Sequence, residues 1–325
     1  MNLNKEKISD ILAGFQNKKI LVIGDVMVDA YYWGVTERIS PEAPVPIVDV
    51  KRTNFNPGGA GNVALNLSTL GADVSLAAVI GNDSNGEILV NQLQEKKINT
   101  RLLSILEDYA TPIKTRVIAQ EQQVIRIDQE NNSFDSDANI SNIIDNLKSN
   151  ISKYDGILLA DYNKGLLSKR LIKFILKQAK DNHIPIYVDP KDNNFFEYKN
   201  VRLFKPNIAE FGKAIGNGFS NKNITDIGKK YLIDSGSEIL LITRGADEAL
   251  LFTENGTINI PTITQSVHDV SGAGDTVIAT FALADLSGAN PEEAAIIANI
   301  AASVVCSKVG VVPIEFNQLK QKLLN

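Results

Sequence analysis

The stretch Asp269–Leu286, DVSGAGDTVIATFALADL, decides how this chain is read. Its second part, Val277 to Leu286, is apolar almost throughout and reads as a buried helix. The first-turn N–H groups of such a helix have no partner inside it and carry the positive end of its dipole. Gly272, Ala273 and Gly274 leave those donors bare, so an anion such as a phosphoryl group can approach them. Asp275 adds a carboxylate beside this anion hole, where it can take a proton from an attacking hydroxyl. A simple helix cap needs neither two flanking glycines nor acids at both Asp269 and Asp275, so the pattern points to catalysis.

Upstream, apolar strands alternate with helical patterns. Lys19–Gly24 (KILVIG) is short and β-branched, and similar runs recur at 74–80, 156–160, 184–188, 201–204 and 239–243. Helical spacing appears at 59–70, 86–97, 138–151, 169–181, 208–215 and 224–235. Strands that are apolar throughout belong to a sheet covered on both faces, and their alternation with helices implies parallel pairing through right-handed crossovers. The expected fold is a doubly wound α/β core with a mostly parallel sheet, built as one domain over residues 1–325.

Two stretches break that rhythm. Pro44–Val50 and Ile113–Asp128 alternate apolar and polar residues, as strands with one exposed face do. They predict a small accessory β-sheet from lid segments at about 35–52 and 111–129. It would close over a crevice, pair with a second subunit, or be a plain hairpin, and the sequence leaves these open.

Composition narrows the function classes. The 325 residues are 44% hydrophobic, enough for a large core. A net charge of −5 without a long Lys or Arg run argues against a nucleic acid or an anionic membrane as partner. The one cysteine, Cys306, rules out an internal disulfide, fits a small core residue, and with the absence of a long apolar segment predicts a cytoplasmic protein. Only His183 and His268 are present, which all but excludes a catalytic triad or a His-rich metal site; His268 reads as a bystander.

In open α/β sheets ligands bind beyond the carboxyl ends of strands. Polar residues collect at those ends: Asp25 and Asp29, then Asp161 to Gly165, Asp189 to Lys191, Lys205 to Glu210, and Thr243 to Gly245. Each alone suits a turn, but five at successive strand ends do not. Pro57-Gly58-Gly59-Ala60-Gly61-Asn62 adds a glycine turn opening a helix, with Asn62 able to hydrogen-bond a polyol. Neither a P-loop nor a dinucleotide Gly-x-Gly-x-x-Gly follows the first strand.

Taken together, Pro57–Asn62, Asn207-x-x-Glu210, Thr243-Arg244-Gly245 and Gly272-Ala273-Gly274-Asp275 resemble the ribokinase (PfkB) family of carbohydrate kinases, along nearly the whole chain. Within it, GDVMVD (24–29), RISPEAPVP (38–46), QQVIRID (122–128) and DYNKG (161–165) resemble the heptose 7-phosphate kinases of the ADP-heptose pathway. The resemblance implies a ribokinase-like fold and ATP-dependent phosphorylation of the C1 hydroxyl, with Asp275 as base and Gly272, Ala273 and Gly274 as anion hole. It puts Asn207, Ile208, Ala209 and Glu210 near the nucleotide phosphates, with Glu210 meeting Mg²⁺ through water. Thr243, Arg244 and Gly245 would lie along the nucleotide, Asn299 near adenine, and Lys191 at either phosphate. Sugar contacts would come from Asp25, Asp29, Gly58, Gly59 and Asn62, with Arg116 and Lys164 for the 7-phosphate. A monovalent cation is left open.

The resemblance further implies a homodimer joined through the lid sheets. Bifunctional relatives carry a nucleotidyltransferase domain, whose His-x-Gly-His is absent here, so a separate nucleotidyltransferase is expected to act downstream. The readings that compete are another PfkB kinase, for a ketohexose phosphate or ribose, and a non-catalytic sugar-phosphate sensor.

Overall fold

The computed structural model describes residues 4–120, 122–130, 137–220, 222–245, 247–262, 271–308 and 310–324. Its strands in chain order are β1 Lys19–Gly24, β2 Val26–Ile39, β3 Pro46–Gly59, β4 Asp73–Ala77, β5 Val79–Gly81, β6 Ser104–Leu106 and β7 Ile113–Ala119. They continue as β8 Gln122–Gln129, β9 Gly156–Ala160, β10 Ile186–Asp189, β11 Leu203–Phe204, β12 Ile239–Ile242, β13 Ala249–Thr253 and β14 Gly256–Ile260. The α-helices are α1 Lys5–Ala13, α2 Ala60–Thr69, α3 Ser84–Glu95, α4 Asp137–Lys148 and α5 Lys169–Asp181. After them come α6 Ile208–Ile215, α7 Ile224–Ser235, α8 Ala273–Leu286, α9 Pro291–Cys306 and α10 Phe316–Leu324.

Among the described residues the main sheet has eight strands in the order β14-β13-β12-β11-β10-β9-β1-β4. From β12 to β4 every pairing is parallel, and β13 and β14 add an antiparallel hairpin at one edge. Side-chain alternation divides the apolar residues between two cores. Ile20, Val22 and Leu158 join the core under α1, α2, α8 and α9. Leu21, Ile23 and Leu159 join the opposite core against α4, α5 and α7. The expected doubly wound α/β architecture, apolar strands covered on both faces, is therefore the one observed.

The parallel strands end level with one another, Gly24 beside Ala160 and Ala160 beside Asp189. Gly24 lies so close to its neighbour that a Cβ there would sit 2.1 Å from the Ala160 carbonyl oxygen. That close approach requires glycine.

The second sheet, β3-β2-β7-β8, is the lid, and its strands run longer than the alternation in the sequence predicts. The segment after Gly24 is not a loop: Val26 starts a 14-residue strand antiparallel to β3, whose end carries Pro57 to Gly59. Val26, Met27 and Val28 are buried, so this half of the hairpin shows no alternation. Residues 74–80 likewise split in two, β4 joining the main sheet and β5 pairing with β6.

Candidate active site

Helix α8 starts at Gly272, which has left-handed φ 79° and caps the helix without a side chain. Its carbonyl accepts the Thr276 N–H at 3.0 Å, as a first helical turn requires. At Gly274 a Cβ would stand 3.5 Å from Lys205 Nζ and 3.9 Å from Asp189 Oδ2. The glycine backbone therefore faces a buried ion pair, with Lys205 Nζ 3.0 Å from Asp189 Oδ1. Dipole, bare N–H groups and ammonium combine at one point to favour an anion.

Asp275, in the first turn of α8, is held at both oxygens. Asn62 Nδ2 from α2 donates to Oδ2 at 2.6 Å, and the Tyr162 hydroxyl donates to Oδ1. Asn66, one turn along α2, donates to the Asn62 carbonyl and accepts from Thr276 Oγ1 and the Ile314 N–H, so the two helices are locked together. Burial first, then the Asp189 charge, raises Asp275 to about 6 against the opposing hydrogen bonds. A carboxylate so tuned is ionised at neutral pH yet basic enough to accept a proton.

A cleft of about 670 Å³ opens in front of Asp275, between the strand ends and the lid. Asn207, Glu210, Thr243, Arg244, Gly245, Lys191 and Asn299 line one part of it. Asn207 and Glu210 form a reciprocal capping box at the start of α6, each side chain accepting the other's N–H at 2.8 Å. Lys191 ion-pairs with the other Glu210 oxygen; burial works against its charge, but Glu210 prevails and the ammonium is held above its usual value. Arg244 Nε is buried without a partner among the described residues, a donor that a phosphate oxygen would satisfy. Ile208 packs into the core beneath α6, and Ala209 points to solvent, so neither reaches the cleft wall. Among the described residues no cluster of three acidic, His or Cys side chains could hold a metal.

The other part of the cleft is lined by Asp29, Gly59, Asn62, Lys114 and Arg116. Arg116 ion-pairs with Asp29, and its guanidinium lies 5.3 Å from the Tyr31 ring centroid. Lys164 is set back, ion-paired with Glu130, which also takes Lys114 at 2.6 Å. Gly58 is not on the wall; it packs against Asp29, where a Cβ would be 2.3 Å from Oδ2. Asp25 is not on the wall either. Its carboxylate is consumed by three loop N–H groups, those of Tyr162 at 2.9 Å, Lys164 at 3.0 Å and Leu166 at 3.2 Å. Burial outweighs them and raises Asp25 to about 6.

Of the expected site residues, the structure thus gathers Gly272 to Asp275, the nucleotide-side residues other than Ile208 and Ala209, and Asp29, Gly59, Asn62 and Arg116 into one cleft, and leaves Asp25, Gly58 and Lys164 off its wall. Tyr162, Asp189, Lys205 and Lys114 join it without having been singled out. The first three stood among the strand-end polar residues, but nothing in the sequence says which of those turn inward. His268 and Asp269 lie outside the described residues.

Comparison with known proteins gives the family. Residues 17–316 match the family model described as pfkB family carbohydrate kinase. A protein of Sulfurimonas denitrificans named Bifunctional protein HldE is 40% identical over 304 residues, 93% of this chain and 64% of that protein's length. Among solved structures, Arabidopsis thaliana ribokinase complexed with ribose and ATP superposes with TM-score 0.71 at 19% identity, covering 95% of this chain and 99% of that one. A possible 1-phosphofructokinase of Thermotoga maritima reaches TM-score 0.80 at 17% identity, covering 94% and 97%. This chain belongs to the pfkB family of carbohydrate kinases, phosphotransferases that act on a sugar hydroxyl.

Proposed function

We propose that the protein transfers the γ-phosphoryl group of ATP to the C1 hydroxyl of D-glycero-D-manno-heptose 7-phosphate, giving the 1,7-bisphosphate. The observation that carries the chemistry is Asp275, held at both oxygens at the mouth of a glycine-opened helix and beside the Lys205–Asp189 pair. The attacking sugar hydroxyl gives its proton to Asp275, its oxygen bonds to the γ-phosphorus, and the bond from that phosphorus to the ADP oxygen breaks. The N–H groups at the start of α8 and the Lys205 ammonium stabilise the charge that builds on the transferring group.

Lys191 and Arg244 supply cations for the nucleotide phosphates, and Asn299, Ala302, Ser303 and Cys306 from α9 also line the cleft. Mg²⁺ would neutralise phosphate charge when bound. Both Glu210 oxygens are already engaged, so Glu210 suits a water-mediated contact with the ion.

The choice of sugar rests on the DYNKG and GDVMVD stretches and on the likeness to the HldE protein. Lys114 and Arg116 on the cleft wall suit a substrate that carries a phosphate far from the reacting hydroxyl. A panel of heptose 7-phosphate, a ketohexose phosphate and ribose tests it. The heptose phosphate should show the highest kcat/KM, and a higher value for either other sugar rejects the assignment.

The lid's outer face supports a homodimer. Ile125 and Ile127 on β8 and Val50 on β3 are exposed at 52%, 49% and 43%, an apolar face on a small sheet. A second copy packed on that face would cover it and steady the lid over the sugar.

A further inference from the structure

Tyr162 is the second residue past β9, in the loop that brings Asp161 and Tyr162 to the cleft wall, and its hydroxyl donates to Asp275 Oδ1. The loop is pinned by Asp25, whose carboxylate accepts the N–H groups of Tyr162, Lys164 and Leu166. Lys191 Nζ lies 5.7 Å from the centroid of the Tyr162 ring, so the ring is also held from the nucleotide side. With Asn62 on Oδ2, the two donors use one lone pair on each oxygen of Asp275 and leave one on each. The plane of the carboxylate is fixed before a substrate arrives.

We infer that Tyr162 is a positioning residue for the phosphoryl transfer: its hydroxyl fixes the rotation of the Asp275 carboxylate so that a free lone pair meets the sugar hydroxyl. Asp25, sequestered behind the wall, acts one step further back by fixing the backbone of Tyr162. The inference rests on the reading of Asp275 as the base.

Burial, then the charges of Asp275 and Asp189, push the Tyr162 hydroxyl well above its ordinary value. It therefore stays a donor and keeps its own proton while the sugar's proton passes to Asp275. A donor to a carboxylate favours its ionised form, so Tyr162 opposes the effect of burial on the base. The other charges facing Asp275 are Asp189 at the end of β10, Lys191 beyond it and Lys205 beyond β11, and Tyr162→Phe alters none of these side chains.

The test is Tyr162→Phe, which removes one oxygen and keeps the ring under Lys191. It should lower kcat about tenfold with little change in either KM, and move the acid limb of kcat/KM up by roughly half to one pH unit. Placing 3-fluorotyrosine at position 162, a stronger donor with the hydroxyl kept, should move the limb the other way, and this arm stands even if Tyr162→Phe folds poorly. Wild-type kcat and an unmoved limb in both variants overturn the inference while Asp275→Asn stays at least about 10²-fold slower in the same assay. An Asp275→Asn with near-wild-type turnover overturns the base assignment itself.

Discussion

The side-chain amide of Asn62 donates to the carboxylate of Asp275 at 2.6 Å, joining two helix starts that are 213 residues apart in the chain. Asn62 sits in the first turn of α2 and Asp275 in the first turn of α8, so both polar side chains emerge where apolar helices meet the cleft. The bond lowers the pKa of Asp275 while burial raises it.

That balance gives a pH prediction. The base acts only when ionised, and its value is about 6, so kcat/KM should fall below that pH by about tenfold per unit. Asn62→Ala removes a donor to the ionised form, so the acid limb should move upward and kcat should drop by about tenfold. A pH–rate series on the two enzymes checks both; a limb that stays in place, or moves down, contradicts the assignment.

The two glycines of the anion hole should fail differently. A Cβ at Gly274 meets Lys205 and Asp189 at ordinary contact distances, so Gly274→Ala should fold with a near-wild-type Tm. Its methyl group would intrude on the phosphoryl position and cost about 10²-fold in kcat/KM for ATP. Gly272→Ala puts a side chain at φ 79° and 2.8 Å from Asn62 Nδ2, a cost of about 1–3 kcal/mol in stability. Thermal melts alongside ATP kinetics separate the two effects.

The basic residues of the lid should be ranked by their place in the cleft. Lys114 and Arg116 line it, whereas Lys164 stands behind Glu130. Alanine at Lys114 or Arg116 should raise KM for the phosphorylated heptose by about 10-fold or more and leave the unphosphorylated sugar little affected. Lys164→Ala should have the smaller effect, acting through Glu130. Equal losses on both sugars for all three variants would remove the lid cations from phosphate recognition.

A homodimer should sediment at about twice the 35.4 kDa chain mass. Ile127→Asp on the outer lid face should shift the protein to monomer and raise the sugar KM together, because a lid without its partner closes poorly. A fully active wild-type monomer at micromolar concentration would rule out this arrangement and leave the kinase chemistry intact.

Much of this was legible in the sequence, for reasons tied to particular residues. KILVIG and its counterparts are apolar on both faces, which only a covered parallel sheet explains, and GAGD needs no tertiary information to mark an anion site. The start of the lid was hidden because Val26 to Val28 are buried and do not alternate. The resemblance puts Asp25 among the sugar contacts; that its carboxylate accepts three backbone N–H groups from a loop 137 to 141 residues away is visible only in the structure. Tyr162 stayed unmarked for the converse reason, since its role depends on a partner more than a hundred residues away.

Removing the base should separate chemistry from binding. Asp275→Asn should keep ATP affinity within a few-fold and lower kcat by roughly 10²–10⁴. Nucleotide binding by calorimetry and turnover by a coupled assay measure the two quantities independently.

The most direct measurement is ³¹P and ¹H NMR of the product formed from ATP, Mg²⁺ and heptose 7-phosphate. The account predicts a new phosphoryl group coupled to the anomeric proton at C1, formed by the wild-type protein and essentially lost with Asp275→Asn. A phosphoryl group on any other carbon, or the same product at the same rate from Asp275→Asn, would contradict it.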